Sequence, residues 1–253
     1  MDNFLTNTDF TGKFLIHLRR VDSTNNYAKE YVAKTNPKDG TVILADEQFS
    51  GRGLAGNLWE SEALKNLTFS LIYQTDFLVA AEQFYLSMAV SLGLREAVSS
   101  ALNSERHVRI KWPNDVYVNN LKIAGMLIEN TIQGMNLSAS IIGIGLNVNQ
   151  ADFGKLEATS LLLENGEEYN RLKILKHGLE RVEYYFLELK KGNKDLLKKN
   201  YLENLYRFNE WHSFSDPQGN FTGKIVDVNA YGNLVVETEN GLRTFGMKEI
   251  KYE

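Results

Sequence analysis

Residues 51–56 read Gly-Arg-Gly-Leu-Ala-Gly and satisfy G-x-G-x-x-G, the fingerprint of dinucleotide-binding folds. The fingerprint has meaning only where a buried strand runs into the first glycine and a helix starts at the last. Neither flank complies. Thr41–Ala45 reads as a strand, but the polar stretch Asp46–Ser50 separates it from Gly51. Downstream, residues 57–66 lack helical periodicity and lead to Leu67–Tyr73, where Leu67, Phe69, Leu71 and Tyr73 alternate as on a strand. A strand–loop–strand unit is the wrong scaffold, so the Rossmann reading fails. Two readings of the loop stand side by side. One is a flexible surface loop. The other is an anion-binding loop, in which glycines let successive N–H groups converge, Arg52 adds a bidentate fork and Trp59 offers a flat face to a base.

The rest of the chain alternates strands and helices. Phe14–Val21 reads as a strand, followed by Asp22-Ser23-Thr24-Asn25, several N-cap side chains ahead of a helix over Asn26–Lys34. A long helix is predicted over Val79–Leu102, with Phe84, Met88, Ala89 and Leu92 on one face. Val108–Ile110 is a short strand. Val116–Val118 and Lys122–Glu129 form a hairpin turned at Asn119-Asn120, and Leu137–Ile144 is a further buried strand. Helices follow over Ala158–Leu163, closed by Asn165-Gly166, then over Tyr169–Lys191 and Asp195–Tyr206. Beyond Tyr206 come short strands over Phe221–Val228, Asn233–Glu237 and Leu242–Met247, enough chain for a small barrel. The expected organisation is a unit over residues 1–206 and a small one over 207–253.

Charge and composition exclude several classes. A formal net charge of -4 argues against a nucleic-acid binder. The absence of cysteine removes disulfides, thiolate catalysis and Cys-ligated zinc. The N-terminal residues Met1–Asp9 do not read as a signal peptide and no apolar run is long enough to span a bilayer, so the expectation is a cytoplasmic protein with no membrane partner. His17, His107, His177 and His212 show no metal-ligand spacing.

With three prolines in the chain, Pro113 within Lys111-Trp112-Pro113-Asn114-Asp115 is informative. It halts a strand and holds Asn114 and Asp115 in a rigid turn, which is either a plain β-turn over a core tryptophan or part of a site. On a regular strand Lys122 would share a face with Ala124, Met126 and Ile128, opposite Ile123, Gly125 and Leu127. A lysine there either snorkels to solvent or points into a site to neutralise an anion. Ser23-Thr24-Asn25 serves as a helix cap and is also able to hold a polar ligand group. Gly143-Ile144-Gly145-Leu146-Asn147 ends a strand with glycines that allow close approach of another backbone or a base.

Taken in order, Ser23-Thr24-Asn25, Gly51–Trp59, Lys111–Asp115, Lys122–Gly125 and Gly143–Asn149 resemble the biotin–protein ligases (biotin–[acetyl-CoA-carboxylase] ligase). The most specific part is the run from Lys111 to Glu129. With the first strand beginning at Phe14, the chain looks like the monofunctional class without a winged-helix repressor domain. The resemblance implies an α+β fold, a mixed β-sheet with flanking helices plus a small C-terminal SH3-like β-barrel. It implies that biotin and ATP give biotinyl-5′-AMP, and that biotin then passes to a lysine of a biotin carboxyl-carrier domain. It also implies Mg²⁺ as counter-ion and a homodimer. By the same resemblance, Lys122 sits against the biotin carboxylate and the α-phosphate, Arg52 with Gly51 and Gly53 closes over the adenylate, and Lys111 faces the phosphates. Ser23, Thr24, Asn25, Gln48 and Gly125 belong to the biotin side, and Trp59, Asn114 and Asn147 to the ATP side. Asp115 either meets the metal–phosphate assembly or orients the acceptor lysine.

Many relatives carry arginines at the positions of Leu54 and Asn57, and Gln48-Phe49-Ser50 stands where Gln-Thr-Ala is frequent. Two rivals belong to the same set of expectations. A lipoate– or octanoate–protein ligase would use a similar lysine with a different glycine signature. A non-catalytic sensor of biotinyl-AMP would not need Lys111, Lys122 and Arg52 together.

Overall fold

The computed structural model describes residues 6–102 and 107–253. The first five residues of the N-terminal segment, on which part of the signal-peptide reading rests, lie outside the described residues. The large sheet is built from β1 (Leu15–Leu18), β2 (Thr41–Ala45), β3 (Leu67–Gln74), β4 (Val108–Lys111), β5 (Asp115–Val118), β6 (Leu121–Gln133) and β7 (Asn136–Leu146). Its order is β1-β2-β3-β7-β6-β5-β4. β1 and β2 pair in parallel and every other neighbour is antiparallel. The parallel pair needs a crossover, which α1 (Thr24–Lys34) supplies.

α1 covers one face of the sheet around Ala28, Ile43, Ile72 and Ile141. The other face buries the main core beneath α2 (Phe84–Ala101), which packs on α4 (Arg171–Lys190) and α5 (Lys194–Glu203). With both faces covered, β3 is buried from Leu67 to Tyr73, its polar Thr68 and Ser70 included, although its alternation reads as a half-exposed strand. Gly93 permits the α2–α4 approach, since a Cβ there would fall 2.6 Å from Val182 Cα.

Several predicted elements move. A 3₁₀ turn over Ala80–Glu82 precedes α2, so the helix starts at Phe84 rather than Val79. α3 spans Leu161–Asn165 rather than beginning at Ala158, because Ala158 bridges to Lys122 and the Thr159 N–H donates to Lys122 O. Its expected end holds: Gly166 takes φ 78° as the left-handed cap.

The second sheet comprises β8 (Trp211–Asp216), β9 (Gly219–Val228), β10 (Leu234–Thr238), β11 (Gly241–Phe245) and β12 (Lys251–Tyr252), ordered β11-β10-β9-β8-β12 and antiparallel throughout. Phe214, Ile225, Val228, Leu234, Val236 and Phe245 fill its interior, giving the small barrel-like unit expected, with β8 and β12 in addition to the three strands read from sequence. One of its ties to the larger unit is a turn. Gly232 lies against the Phe84 ring, and the Trp112 indole N–H donates to Gly232 O at 2.8 Å.

Candidate active site

A cleft of about 480 Å³ opens where the start of α1, the glycine loop, the Lys111–Asp115 turn, β6, β7 and the C-terminal segment converge. Its inner wall is a polar network. Ser23 occupies the N-cap position of α1 but makes no side-chain cap bond. Gln48 caps the helix in its place, with Oε1 accepting from the Thr24 N–H (2.7 Å) and the Thr24 hydroxyl (3.0 Å). Beneath, the Ser70 hydroxyl meets Thr24 Oγ1 at 2.8 Å and Asn25 Oδ1 at 2.7 Å. Asn25 fits there because Gly143 has no side chain, as a Cβ would fall on its carboxamide.

The glycine loop folds as a small hairpin. The Gly53 N–H donates to Asn57 O (2.7 Å) and the Trp59 N–H to Gly51 O (3.0 Å), with a 3₁₀ turn over Leu54–Gly56 at the tip. Leu54 and Asn57 line the cleft where relatives were expected to carry arginines. At its far end the Trp59 indole rests against Gly145, where a Cβ would lie 2.6 Å from Nε1 and nearer still to two ring carbons. The Gly143–Gly145 strand, expected to admit another backbone or a base, instead admits the side chains of Asn25 and Trp59.

Lys122 sits on the cleft side, which corrects the face expected for it. Pairing between β5 and β6 slips: Val116 opposes Ala124 while Tyr117 opposes Lys122, leaving Ile123 as the extra residue of a β-bulge. The slip rotates Lys122 away from Ala124 and Met126 onto the face of Gly125. Its Nζ lies 2.7 Å from Asp115 Oδ1 and 5.6 Å from the Trp59 ring centroid. Gly125 leaves room for the pair, since a Cβ there would be 3.1 Å from both Asp115 Oδ1 and Lys122 Nζ. Burial raises the Asp115 pKa above the usual carboxylate value, against the opposing charges of Lys122 and Lys111. Lys111 is half-buried between the rings of Tyr117 (4.6 Å) and Tyr252 (4.9 Å), and burial depresses its pKa.

Other expected site residues have structural partners. Asn114 locks onto Met126, its Nδ2 donating to Met126 O (2.7 Å) while its own carbonyl accepts from the Met126 N–H (3.0 Å). The Trp112–Pro113 peptide is cis. Asn147 does not line the cleft; it is 3% exposed and its Nδ2 donates to Thr159 O. Gly51 is buried behind the loop, a Cβ there meeting the Trp59 backbone. The Arg52 guanidinium binds Asn26 Oδ1 at 2.9 Å and Glu129 at 3.0 and 3.3 Å. Among the described residues no three His, Cys, Asp or Glu side chains gather to hold a metal, and the Asp115 carboxylate is paired with Lys122.

Two groups escaped the reading from sequence. Glu129 closes the run that begins at Lys111 and shares the face of Gly125 and Leu127, a cue visible in the strand pattern. Lys248, Ile250, Lys251 and Tyr252 bring the C-terminal sheet to the cleft, and a two-residue strand leaves no periodicity to read.

A sheet-and-helix frame holding an amide-rich loop and two lysines over a hydrogen-bonding wall defines a cleft for an anionic, partly flat ligand. A family model described as biotin/lipoate A/B protein ligase matches residues 17–147, and one described as biotin protein ligase C terminal domain matches residues 214–247. The chain belongs to the biotin/lipoate A/B protein ligase family. It is 30% identical to the bifunctional ligase/repressor BirA of Bacillus subtilis, over 96% of this chain and 75% of that protein. It is 37% identical to the biotin–[acetyl-CoA-carboxylase] ligase of Paracoccus denitrificans, over 55% of this chain and 57% of that one. Among solved structures, the biotin protein ligase from Aquifex aeolicus in complex with biotin and ATP superimposes with a TM-score of 0.79 at 29% identity, covering 95% of this chain and 100% of that one.

Proposed function

We infer that the chain is an ATP-dependent biotin–protein ligase, which forms biotinyl-5′-AMP and then biotinylates a lysine of a biotin carboxyl-carrier domain. The observation that carries this reading is the bulge in β6, which turns Lys122 into a cleft walled by the glycine loop and Trp59. In the first step a biotin carboxylate oxygen bonds to the α-phosphorus of ATP and pyrophosphate departs. Two anions must meet, and Lys122 supplies a fixed positive charge where they do, in a site that needs no reorganisation. Lys111, held between Tyr117 and Tyr252, adds a second cation at the C-terminal side of the cleft.

The α1 side of the cleft is assigned to the ureido ring of biotin, through Ser23, Thr24, Asn25 and Gln48. The adenine is assigned to Trp59. In the second step the carrier lysine attacks the acyl carbon, AMP leaves and the amine loses a proton. Asp115 is assigned to orient that amine, because its burial and its pairing with Lys122 suit a proton acceptor better than a metal ligand. Mg²⁺ is proposed to arrive on the triphosphate. Cytoplasmic residence and a unit boundary near Tyr206, both read from the sequence pattern, and a homodimer, implied by the resemblance, are proposals; among the described residues no helix is long and apolar enough to cross a membrane.

The test is transfer of labelled biotin, and in parallel labelled octanoate and lipoate, to a carboxyl-carrier domain in the presence of ATP. Lysine-linked biotin with no transfer of the other two acids supports the reading. Preferential transfer of lipoate or octanoate would assign the chain to the other branch of its family. Tight binding of biotinyl-AMP without any transfer would mark it as a sensor.

A further inference from the structure

The Arg52 guanidinium is engaged by Glu129 and Asn26, neither of which lines the cleft. Glu129 stands on β6, seven positions after Lys122, and its side chain is 19% exposed. Its carboxylate gathers three side chains from two segments: Arg52 of the glycine loop, and Lys29 Nζ at 2.6 Å and Asn25 Nδ2 at 2.8 Å, both from α1. Burial alone would raise its pKa, but the hydrogen bonds of Lys29 and Asn25 and the charge of Arg52 outweigh it and hold the carboxyl below its ordinary range. A two-point pair between guanidinium and carboxylate fixes orientation as well as position. Arg52 also bridges to Leu58 within the loop hairpin, so fixing Arg52 fixes the hairpin that ends at Trp59.

We propose that Glu129 is a positioning residue: by holding the Arg52 guanidinium, it pins the glycine loop over the cleft. Arg52 then acts as the loop's anchor instead of an anion clamp. The proposal rests on the ligase reading only for the choice of ligand, since the anchor is measurable without one.

The first measurement is amide hydrogen exchange in the ligand-free protein. Glu129→Gln, which keeps the shape and removes the charge, raises exchange across residues 51–59 by about tenfold, the scale of one charge-assisted contact partly screened by solvent. Unchanged exchange there overturns the anchor. The second is a cycle of Arg52→Ala, Glu129→Ala and the double variant, reading release of biotinyl-AMP formed in the absence of a carrier. Arg52→Ala alone speeds release by about tenfold, and in the Glu129→Ala background it adds less than about twofold, as expected for residues acting as one unit. An equal effect of Arg52→Ala in both backgrounds means that the guanidinium acts on the ligand directly, and the proposal fails. If Glu129→Ala does not fold, Glu129→Gln replaces it in the cycle. A wild-type chain that forms no biotinyl-AMP sinks the ligase reading, while the exchange result still decides the anchor.

Discussion

Gly145→Ala probes the seat of Trp59 with a single methyl group. A Cβ built at Gly145 lies 2.6 Å from Trp59 Nε1 and closer to two carbons of the ring, whereas nonbonded atoms settle at about 3.5–4.0 Å. The indole must therefore shift by about an ångström or more. The backbone cannot simply follow, because the Trp59 N–H is bonded to Gly51 O. Gly145 has no left-handed backbone angle, so alanine itself adds no local strain. If Trp59 is the wall for adenine, the methyl forfeits its stacking, worth about 1–3 kcal/mol or about five- to 150-fold in ATP affinity. Biotin affinity stays at the wild-type level, since the biotin side is built from α1 and Gln48. Calorimetric titration with each ligand separately reads both. In a Trp59→Ala background the extra methyl meets open space and changes ATP affinity less than about threefold. Wild-type ATP binding by Gly145→Ala, or a loss confined to biotin, would refute the assignment of Trp59.

Lys122→Ala is expected to lower the rate of adenylation by about a hundredfold or more, the usual cost of about 3–4 kcal/mol for one preorganised electrostatic contact, with single-turnover formation of biotinyl-AMP as the readout. A rate near wild type would make Lys122 a surface lysine. Acid should selectively weaken the Glu129 anchor. Its folded pKa lies below the unfolded value, so the stabilisation is complete above the unfolded value of about 4.5 and is lost as pH falls through the lower folded value. The gap in Tm between wild type and Glu129→Gln closes over that acid window; a gap that persists contradicts the ion pair. Trp112→Phe removes the bond to Gly232 O and is expected to cost about 1 kcal/mol in urea unfolding. No loss would show that this bond adds nothing net to holding the two sheets together.

The local signals in the sequence placed the strands and helices well, and they rejected the Rossmann scaffold for the correct reason, since a strand follows the loop. They failed where a partner strand decides. The side of β6 on which Lys122 falls depends on Ile123 being an extra residue opposite β5, and strict alternation inverts it. Glu129 and Arg52 stand 77 residues apart, and no local pattern joins them. Ser23 reads as the helix cap, yet Gln48 from the next segment performs the capping. Asn147 shares a motif with residues of the cleft but does not line it, its amide holding Thr159 instead, whereas Asn114 lines the cleft while its amide holds Met126. The C-terminal contribution was illegible because β12 has only two residues and gains its position from β8.

The central claim is that this cleft couples a biotin carboxylate to the α-phosphate of ATP with Lys122 between them. Exchange of labelled pyrophosphate into ATP tests it most directly, because exchange requires reversible formation of the mixed anhydride and nothing else. Exchange that depends on biotin, is not supported by lipoate or octanoate, and disappears in Lys122→Ala is the predicted result. Exchange that is absent with biotin, or that survives the loss of Lys122, would contradict the account.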